Sequence, residues 1–177
     1  AKRFVVTQDA KWVVIEEVRT DEEGVRETSL FRIDPLGKEG LELVPFSFRP
    51  SFGPSFRPNP DSLSIVFNAG KDLYKVDMQT AEIIRLTDLP EEGESAERFR
   101  IFSDGRTVAY ELRRIEGETT RYKLQSLDLQ SLQTRNLIPF LPPGRTLGDF
   151  RPTANDRRLL YVADAREFDH FDLYEVA

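Results

Sequence analysis

Apolar and polar residues alternate along short segments of this chain, and the alternation recurs. In its clearest form, Leu73–Asp77 alternates apolar and polar side chains, the period of two expected for a half-buried strand. An apolar run, Ile65–Phe67, precedes this segment, and Ile83–Leu86 follows it after a polar turn. With a first strand around Phe56, the region predicts a four-stranded antiparallel meander.

The same pattern occurs four times. A Phe begins each repeat at intervals of 52, 43 and 51 residues, and an Asp or Asn follows each Phe five residues later. The repeated aromatic residues are Phe4, Phe56, Phe99 and Phe150, and the residues that follow them are Asp9, Asp61, Asp104 and Asn155. A period of this size with several fixed positions indicates a repeat protein.

Helical signals are weak throughout the chain, because long segments with apolar residues at helical spacing are absent. The sequence therefore predicts an all-β chain. Four-stranded meanders repeated at this interval are typical of a β-propeller, in which each meander is one blade. We expect a single propeller domain over residues 1–177, with blades at approximately 3–45, 54–88, 98–138 and 148–177.

The second and third repeats resemble a known family. The segments Lys71–Asp77 and Ile84–Asp88 are similar to the TolB-type (WD40-like) propeller repeat. Asp104–Tyr110 is similar to the Pro-Asp-Gly turn of that family and to the strand after it. TolB-type propellers usually have six blades, so the resemblance leaves open whether four repeats are a fragment or a small ring.

The fourth repeat contains three predicted strands, whereas each of the others contains four. The strands lie near Phe150, at Leu159–Ala163 and at Phe171–Val176, which gives about fifteen strands in the chain. Three explanations stay open: the natural chain continues past Ala177, a partner supplies the strand, or this blade has three strands. Proteins usually cover an unpaired edge strand, so we expect a partner or a continuation.

Composition narrows the range of functions. The chain of 177 residues is 39% hydrophobic, which suits a globular domain with an ample core. Apolar runs near the 18 residues needed for a membrane span are absent, so we expect membrane association only through partners. The net charge of −6 argues against binding to nucleic acid, and the lack of Cys excludes disulfides and thiolate metal sites.

One segment stands out as a candidate for binding a partner. Residues 45–60 contain five Pro and four Phe. Extended Pro-rich backbone loses little entropy on binding, and aromatic and Arg side chains are common interface anchors. These residues either fill the gap between the first two blades or bind a partner. In the second case, the partner-binding side chains are Phe46, Phe48, Arg49 and Phe52.

A second candidate is the position that follows the repeated Phe, which Arg57, Arg100 and Arg151 occupy. Three converging guanidinium groups would bind an anionic ligand or the carboxylates of a partner. Alternatively, they make equivalent structural bonds in each blade.

Signals for catalysis or for a cofactor are weak. The single His, His170, has no second residue at zinc-ligand spacing, and a Gly-x-Ser-x-Gly motif is absent. The acidic segment Asp88–Glu97 lacks the alternate-position acids of a calcium loop. We therefore expect no catalytic residue, no metal and no cofactor in this chain.

Two functions remain. The first is a non-catalytic protein-protein interaction or scaffold module, an accessory subunit of a larger bacterial envelope-associated complex. It would be periplasmic or secreted, with a cytoplasmic location as the alternative. The second is implied by resemblance: the propeller portion of a prolyl-oligopeptidase-like serine peptidase whose hydrolase domain is absent from this chain.

Overall fold

The computed structural model describes residues 3–20, 22, 24, 26–45, 56–89 and 92–177. In these ranges the chain forms fifteen strands and no helix, arranged as three four-stranded antiparallel sheets and one three-stranded sheet. The prediction of four-stranded antiparallel blades with an incomplete last blade is confirmed. No helix long and apolar enough to cross a membrane occurs in these ranges.

The strands of each sheet follow one another in chain order. The first sheet contains β1 (Arg3–Val6), β2 (Val13–Thr20), β3 (Arg26–Ile33) and β4 (Gly40–Val44). The second contains β5 (Phe56–Pro58), β6 (Ser64–Ala69), β7 (Asp72–Asp77) and β8 (Ile83–Arg85). The third contains β9 (Glu94–Ile101), β10 (Thr107–Glu116), β11 (Thr119–Asp128) and β12 (Thr134–Ile138). The fourth contains β13 (Leu147–Pro152), β14 (Leu159–Glu167) and β15 (His170–Val176).

The chain divides into two compact units, Ala1–Asp88 and Leu89–Ala177, each containing two sheets. In each unit the two sheets share one apolar core. The core of the first unit is built from Val14, Leu30, Leu43, Val44, Phe56, Ile65, Phe67, Ala69, Val76 and Met78. The core of the second unit is built from Phe102, Ala109, Leu124, Ile138, Leu141, Leu147, Phe150, Leu159 and Ala163.

The repeated Asp residues cap the turns between strands. The Asp104 carboxylate accepts hydrogen bonds from the backbone N–H groups of Arg106 (2.8 Å) and Thr107 (2.9 Å). Gly105 adopts a φ of 64°, which glycine tolerates without steric cost. Because Asp61 and Asn155 accept equivalent bonds from Leu63 and Arg157, this position of the repeat has a structural role.

Each sheet has two faces because successive side chains of a strand point to opposite sides. We call the face that bears the repeated Phe the incoming face, and the opposite one the outgoing face. In the first unit, Val14 and Leu30 on the outgoing face of the first sheet share a core with Phe56. In the second unit, Leu124 on the outgoing face of the third sheet shares a core with Phe150. Outgoing faces therefore pack on incoming faces.

Candidate interaction surface

The predicted partner-binding residues of the Pro/Phe-rich segment are Phe46, Phe48, Arg49 and Phe52, and all four lie outside the described residues. Their assignment stays a prediction. The structure does place Phe56, at the end of that segment, in the core of the first unit.

The three Arg residues at the position after the repeated Phe lie on first strands, Arg57 on β5, Arg100 on β9 and Arg151 on β13. The structure brings two of them to one carboxylate. Arg100 Nη2 lies 2.7 Å from Asp149 Oδ1, and Arg151 Nε lies 3.0 Å from Asp149 Oδ2. Partial burial opposes ionisation of Asp149, but the hydrogen bond from Arg151 and the nearby charges outweigh it and lower the pKa. Both guanidinium groups thus have a structural partner.

A denser group of cations and aromatic rings lies elsewhere in the second unit. We call it the Arg/aromatic surface, and its members are Arg114, Arg121, Lys123, Phe140, Arg145 and Phe168. Three cations surround the ring of Phe140: the charged groups of Arg114, Arg121 and Lys123 lie 4.4, 5.2 and 4.8 Å from its centre. Each distance falls within the range of a cation–π interaction.

Strand register creates this arrangement. Arg114 on β10 pairs directly with Arg121 on β11, and Lys123 lies on the same face of β11 two residues further on. Like charges directly opposite each other repel. Glu94 and Glu116 offset that repulsion, because Arg114 Nε lies 2.7 Å from Glu94 Oε1 and Arg121 Nη1 lies 3.6 Å from Glu116 Oε2. The acids thereby hold the guanidinium groups of Arg114 and Arg121 in defined orientations.

The connection between β12 and β13 carries Phe140 and is anchored to the hairpin. Arg121 Nε donates to the Leu141 carbonyl oxygen at 3.2 Å. The Leu141 N–H in turn donates to the Tyr122 carbonyl oxygen at 2.8 Å. Residues 140 and 141 are therefore held against β11 by hydrogen bonds from both a side chain and the backbone.

The other half of the surface lies at the turn between β14 and β15. The Arg145 guanidinium lies 6.0 Å from the centre of the Phe168 ring, and Phe168 is 72% exposed. The buried carboxylate of Asp164 joins this turn to the β12–β13 connection, accepting from the N–H groups of Thr146 (2.5 Å) and Asp169 (3.4 Å). An exposed aromatic ring is thus presented from a fixed turn.

This surface has the composition of a protein-binding site. Arg and aromatic residues are enriched at the energetic centres of protein interfaces, where pre-oriented side chains lose little entropy on binding. In the described ranges, no three acidic or His side chains converge to hold a metal ion. A cleft in the second unit, lined partly by Arg135, Asp156 and Arg158, has a volume of about 160 Å³. That volume lies below the roughly 300 Å³ at which small-molecule sites usually begin.

Sequence reasoning missed the Arg/aromatic surface, although one signal for it exists. Pro139-Phe140 directly follows the fourth strand of the third repeat, just as Pro45-Phe46 follows the fourth strand of the first. This recurrence is the signal in the sequence that singles out Phe140. The cations around it lie on other strands, and only the strand register brings them together.

Comparison with known proteins establishes the fold. No family model matches the chain, and no curated protein does. Among solved structures, the β-propeller domain of the Trilobed protease from Pyrococcus furiosus matches 99% of this chain, with 14% identity and a TM-score of 0.60. A putative TolB from Agrobacterium tumefaciens matches 96%, with 14% identity and a TM-score of 0.60. Dipeptidyl peptidase 4 from Porphyromonas gingivalis matches 97%, with 10% identity and a TM-score of 0.71.

The chain spans 55% of the Trilobed protease domain, 58% of the putative TolB and 30% of the dipeptidyl peptidase, less than two thirds in each case. At these identities the likeness concerns the fold alone, since one fold can host many functions. The four sheets described above are therefore propeller blades, and the chain has the fold of a TolB-type β-propeller.

Proposed function

We propose that this chain is a non-catalytic protein-protein interaction module, an accessory subunit of a larger bacterial envelope-associated assembly. The Arg/aromatic surface is the observation that carries the proposal. The fold shared with a putative TolB from Agrobacterium tumefaciens supports the envelope setting and a periplasmic or secreted location.

The chemistry of the surface indicates the kind of partner. Three cations around Phe140 attract carboxylates, and the exposed Phe168 ring offers apolar area beside the Arg145 guanidinium. An acidic segment that also carries an apolar or aromatic anchor satisfies both features. The surface is therefore expected to bind a protein segment in which acidic and apolar side chains alternate.

The test is a comparison of variants in affinity capture. The purified chain, the double variant R145Q/F168A and the control variant L36A are immobilised and exposed to an envelope extract of the source bacterium. Leu36 is 77% exposed and lies in the other unit, so its truncation removes exposed apolar area without touching this surface. Captured proteins are quantified by mass spectrometry, and each variant is checked for its melting temperature.

We expect the wild-type chain and L36A to capture the same partner in similar amounts. R145Q/F168A is expected to capture at least tenfold less of that partner. Equal recovery by all three folded proteins would contradict the assignment of this surface. A partner that binds R145Q/F168A normally would place the binding site elsewhere on the chain.

A second function is the propeller portion of a prolyl-oligopeptidase-like serine peptidase. It is favoured by the TM-score of 0.71 with dipeptidyl peptidase 4, which exceeds the 0.60 with the putative TolB. Such a chain would be followed in its gene by a hydrolase domain with a Gly-x-Ser-x-Gly motif. Sequencing the native locus decides between the two, because the interaction module requires no such motif.

A further inference from the structure

The two acids at the Arg/aromatic surface contact their Arg partners at different distances. The Glu116 carboxylate lies between two guanidinium groups, with Oε1 3.5 Å from Arg114 Nη1 and Oε2 3.6 Å from Arg121 Nη1. The Glu94 carboxylate is closer, since its Oε1 lies 2.7 Å from Nε and 2.5 Å from Nη2 of Arg114. Strong hydrogen bonds between such charged groups are about 2.7–2.9 Å long, so Glu94 forms them and Glu116 does not.

The two acids also differ in their exposure to water. The Glu94 side chain is 5% exposed, whereas the Glu116 side chain is 42% exposed. Glu116 is the last residue of β10 and precedes the turn residue Gly117, whose φ is 61°. Exposed ion pairs contribute little to stability, because water screens the charges and the paired side chains lose entropy. The Glu116 carboxylate therefore leaves the two guanidinium groups at little cost.

Arg114 and Arg121 are each fixed by a contact that does not involve Glu116. Arg114 is held through Nε and Nη2 by Glu94, and Arg121 Nε donates to the Leu141 carbonyl oxygen at 3.2 Å. Both guanidinium groups make their contact with Glu116 through Nη1. Because an Arg side chain held in this way loses little further entropy on binding, the two Nη1 atoms form a pre-oriented pair of donors for one carboxylate.

The surroundings of this pair of donors favour an anion. Lys123 lies two residues beyond Arg121 on the same face of β11, and its Nζ lies 4.8 Å from the centre of the Phe140 ring. Arg114 and Arg121 contact the same ring. Displacing the Glu116 carboxylate from this group increases its positive charge, and a carboxylate from a partner restores the balance.

We propose that a side-chain carboxylate of the bound partner takes the place of the Glu116 carboxylate between Arg114 and Arg121. Glu116 is then a competitor built into the β10–β11 hairpin. The inference rests on the proposed function and deepens it, because it names the two Nη1 atoms as the donors that bind an Asp or Glu side chain of the partner. Since an incoming carboxylate has to displace Glu116, segments with few acids bind poorly and specificity increases.

The test measures the affinity of a defined peptide for the full chain and three variants. The peptide is Gly-Glu-Phe-Glu-Phe-Glu-Gly with acetyl and amide ends, and its control has Gln in place of each Glu. Isothermal titration calorimetry gives the dissociation constants, and melting temperatures verify that each variant is folded.

The variants separate the role of Glu116 from that of net charge. E116Q removes the competing carboxylate. E118Q is the matched control, because Glu118 is exposed in the same turn and its replacement changes the net charge by the same amount. R121K keeps the positive charge of Arg121 but lacks the planar group of donors.

We expect E116Q to bind the Glu peptide at least threefold more tightly than the wild-type chain, and E118Q to bind it as the wild-type chain does. R121K is expected to bind it at least threefold more weakly, and the Gln peptide is expected to bind all four proteins at least tenfold more weakly. Equal or weaker binding by E116Q relative to the wild-type chain would overturn the proposal. An equal gain in E118Q would also overturn it, because net charge would then explain the effect.

Failure of this proposal is distinguishable from failure of the proposed function. Capture by R145Q/F168A tests the surface with a natural partner and does not depend on Glu116. If the Glu peptide binds none of the four proteins, the carboxylate site between Arg114 and Arg121 is wrong, whereas reduced capture by R145Q/F168A would still support the interaction surface.

Discussion

The third and fourth sheets carry equivalent residues at equivalent positions, yet their outgoing faces have opposite environments. Leu124 is fully buried by the fourth sheet, whereas Leu173, its counterpart, is 69% exposed. Arg100 is likewise more covered than Arg151. In a repeat protein the burial of a position depends on the neighbouring repeat as well as on the residue. The recurrence of Leu and Arg therefore indicates the face by which each sheet packs on the next.

The largest effect expected from this comparison concerns the two Leu residues. Leu124→Ala is expected to lower the free energy of unfolding by about 2–5 kcal/mol, because it leaves a cavity in a packed core. Leu173→Ala is expected to change it by less than about 0.5 kcal/mol, because the side chain is exposed. Urea denaturation measured at low protein concentration provides both values. Similar losses in the two variants would mean that Leu173 is buried in solution.

A smaller effect on the free energy of unfolding is expected at Glu111, a buried acid of the third sheet that has no acidic counterpart in the fourth. Glu111 is buried in the third sheet; burial raises its pKa, and the charge and hydrogen bond of Arg98 partly offset this. Arg98→Met leaves the carboxylate without that partner and is expected to cost about 1–3 kcal/mol at neutral pH. In the fourth sheet Val162 pairs with Leu173 as Glu111 pairs with Leu124, so it is the uncharged counterpart of this acid. Val162→Met is the control, and we expect it to be nearly neutral.

The loss of stability caused by Arg98→Met, which we call the deficit, depends on pH with a definite sign. A carboxyl whose pKa is raised by folding binds protons more tightly in the folded state, so it reduces stability as pH rises through that pKa. We expect the deficit of Arg98→Met to be largest at neutral pH and to shrink as the pH is lowered and Glu111 takes up a proton. Denaturation curves from pH 7 to pH 4 measure it, and a deficit that grows towards acid would be inconsistent with an uncompensated Glu111.

The smallest effect concerns the turns. Hydrogen bonds from the backbone N–H of Ser131 and from Arg106 and Gln130 lower the pKa of Asp128 from 3.8 to about 2. The equivalent position in the fourth repeat is Ala177, whose side chain carries no ionisable group. Because the pKa is lower in the folded state, this contribution to stability is complete above the unfolded pKa and is lost as pH falls through about 2.

NMR titration of the amide groups tests the capping of this turn by Asp128. We expect the amide chemical shift of Ser131 to titrate with a midpoint near 2, following Asp128. The amide of Arg157, which donates to the uncharged Asn155, should show no such transition. Asp128→Asn is the matched control and should abolish the transition at Ser131. A midpoint for Ser131 at the ordinary Asp value would contradict the capping geometry.

Much of the fold was predictable because its signals are local. The alternation in Leu73–Asp77 predicted β7 to within one residue, and the repeated Asp positions are the turn caps seen in the structure. The missing strand of the fourth repeat was also predicted, since it follows from counting apolar runs. These features depend on the period of the pattern and on turn chemistry, which neighbouring residues determine.

The candidate surface was not predictable in the same way. Arg114, Arg121 and Phe140 meet only because β10 and β11 pair in one register and the β12–β13 connection folds back onto them. Similarly, Arg100 and Asp149 are 49 positions apart and belong to different sheets. The exposure of Leu173 depends on whether another sheet packs on it, and the local pattern of apolar and polar residues carries no information about that.

The central claim is that Leu124 and Leu173 differ in exposure because only Leu124 is covered by another sheet. Thiol labelling of two single-Cys variants tests this claim most directly. L124C and L173C are reacted with a thiol reagent under native conditions, at a protein concentration low enough to prevent association. We predict that L173C reacts nearly as fast as an unfolded thiol, and that L124C reacts about a hundredfold or more slowly, through transient opening. Equal rates for the two folded variants would contradict the account.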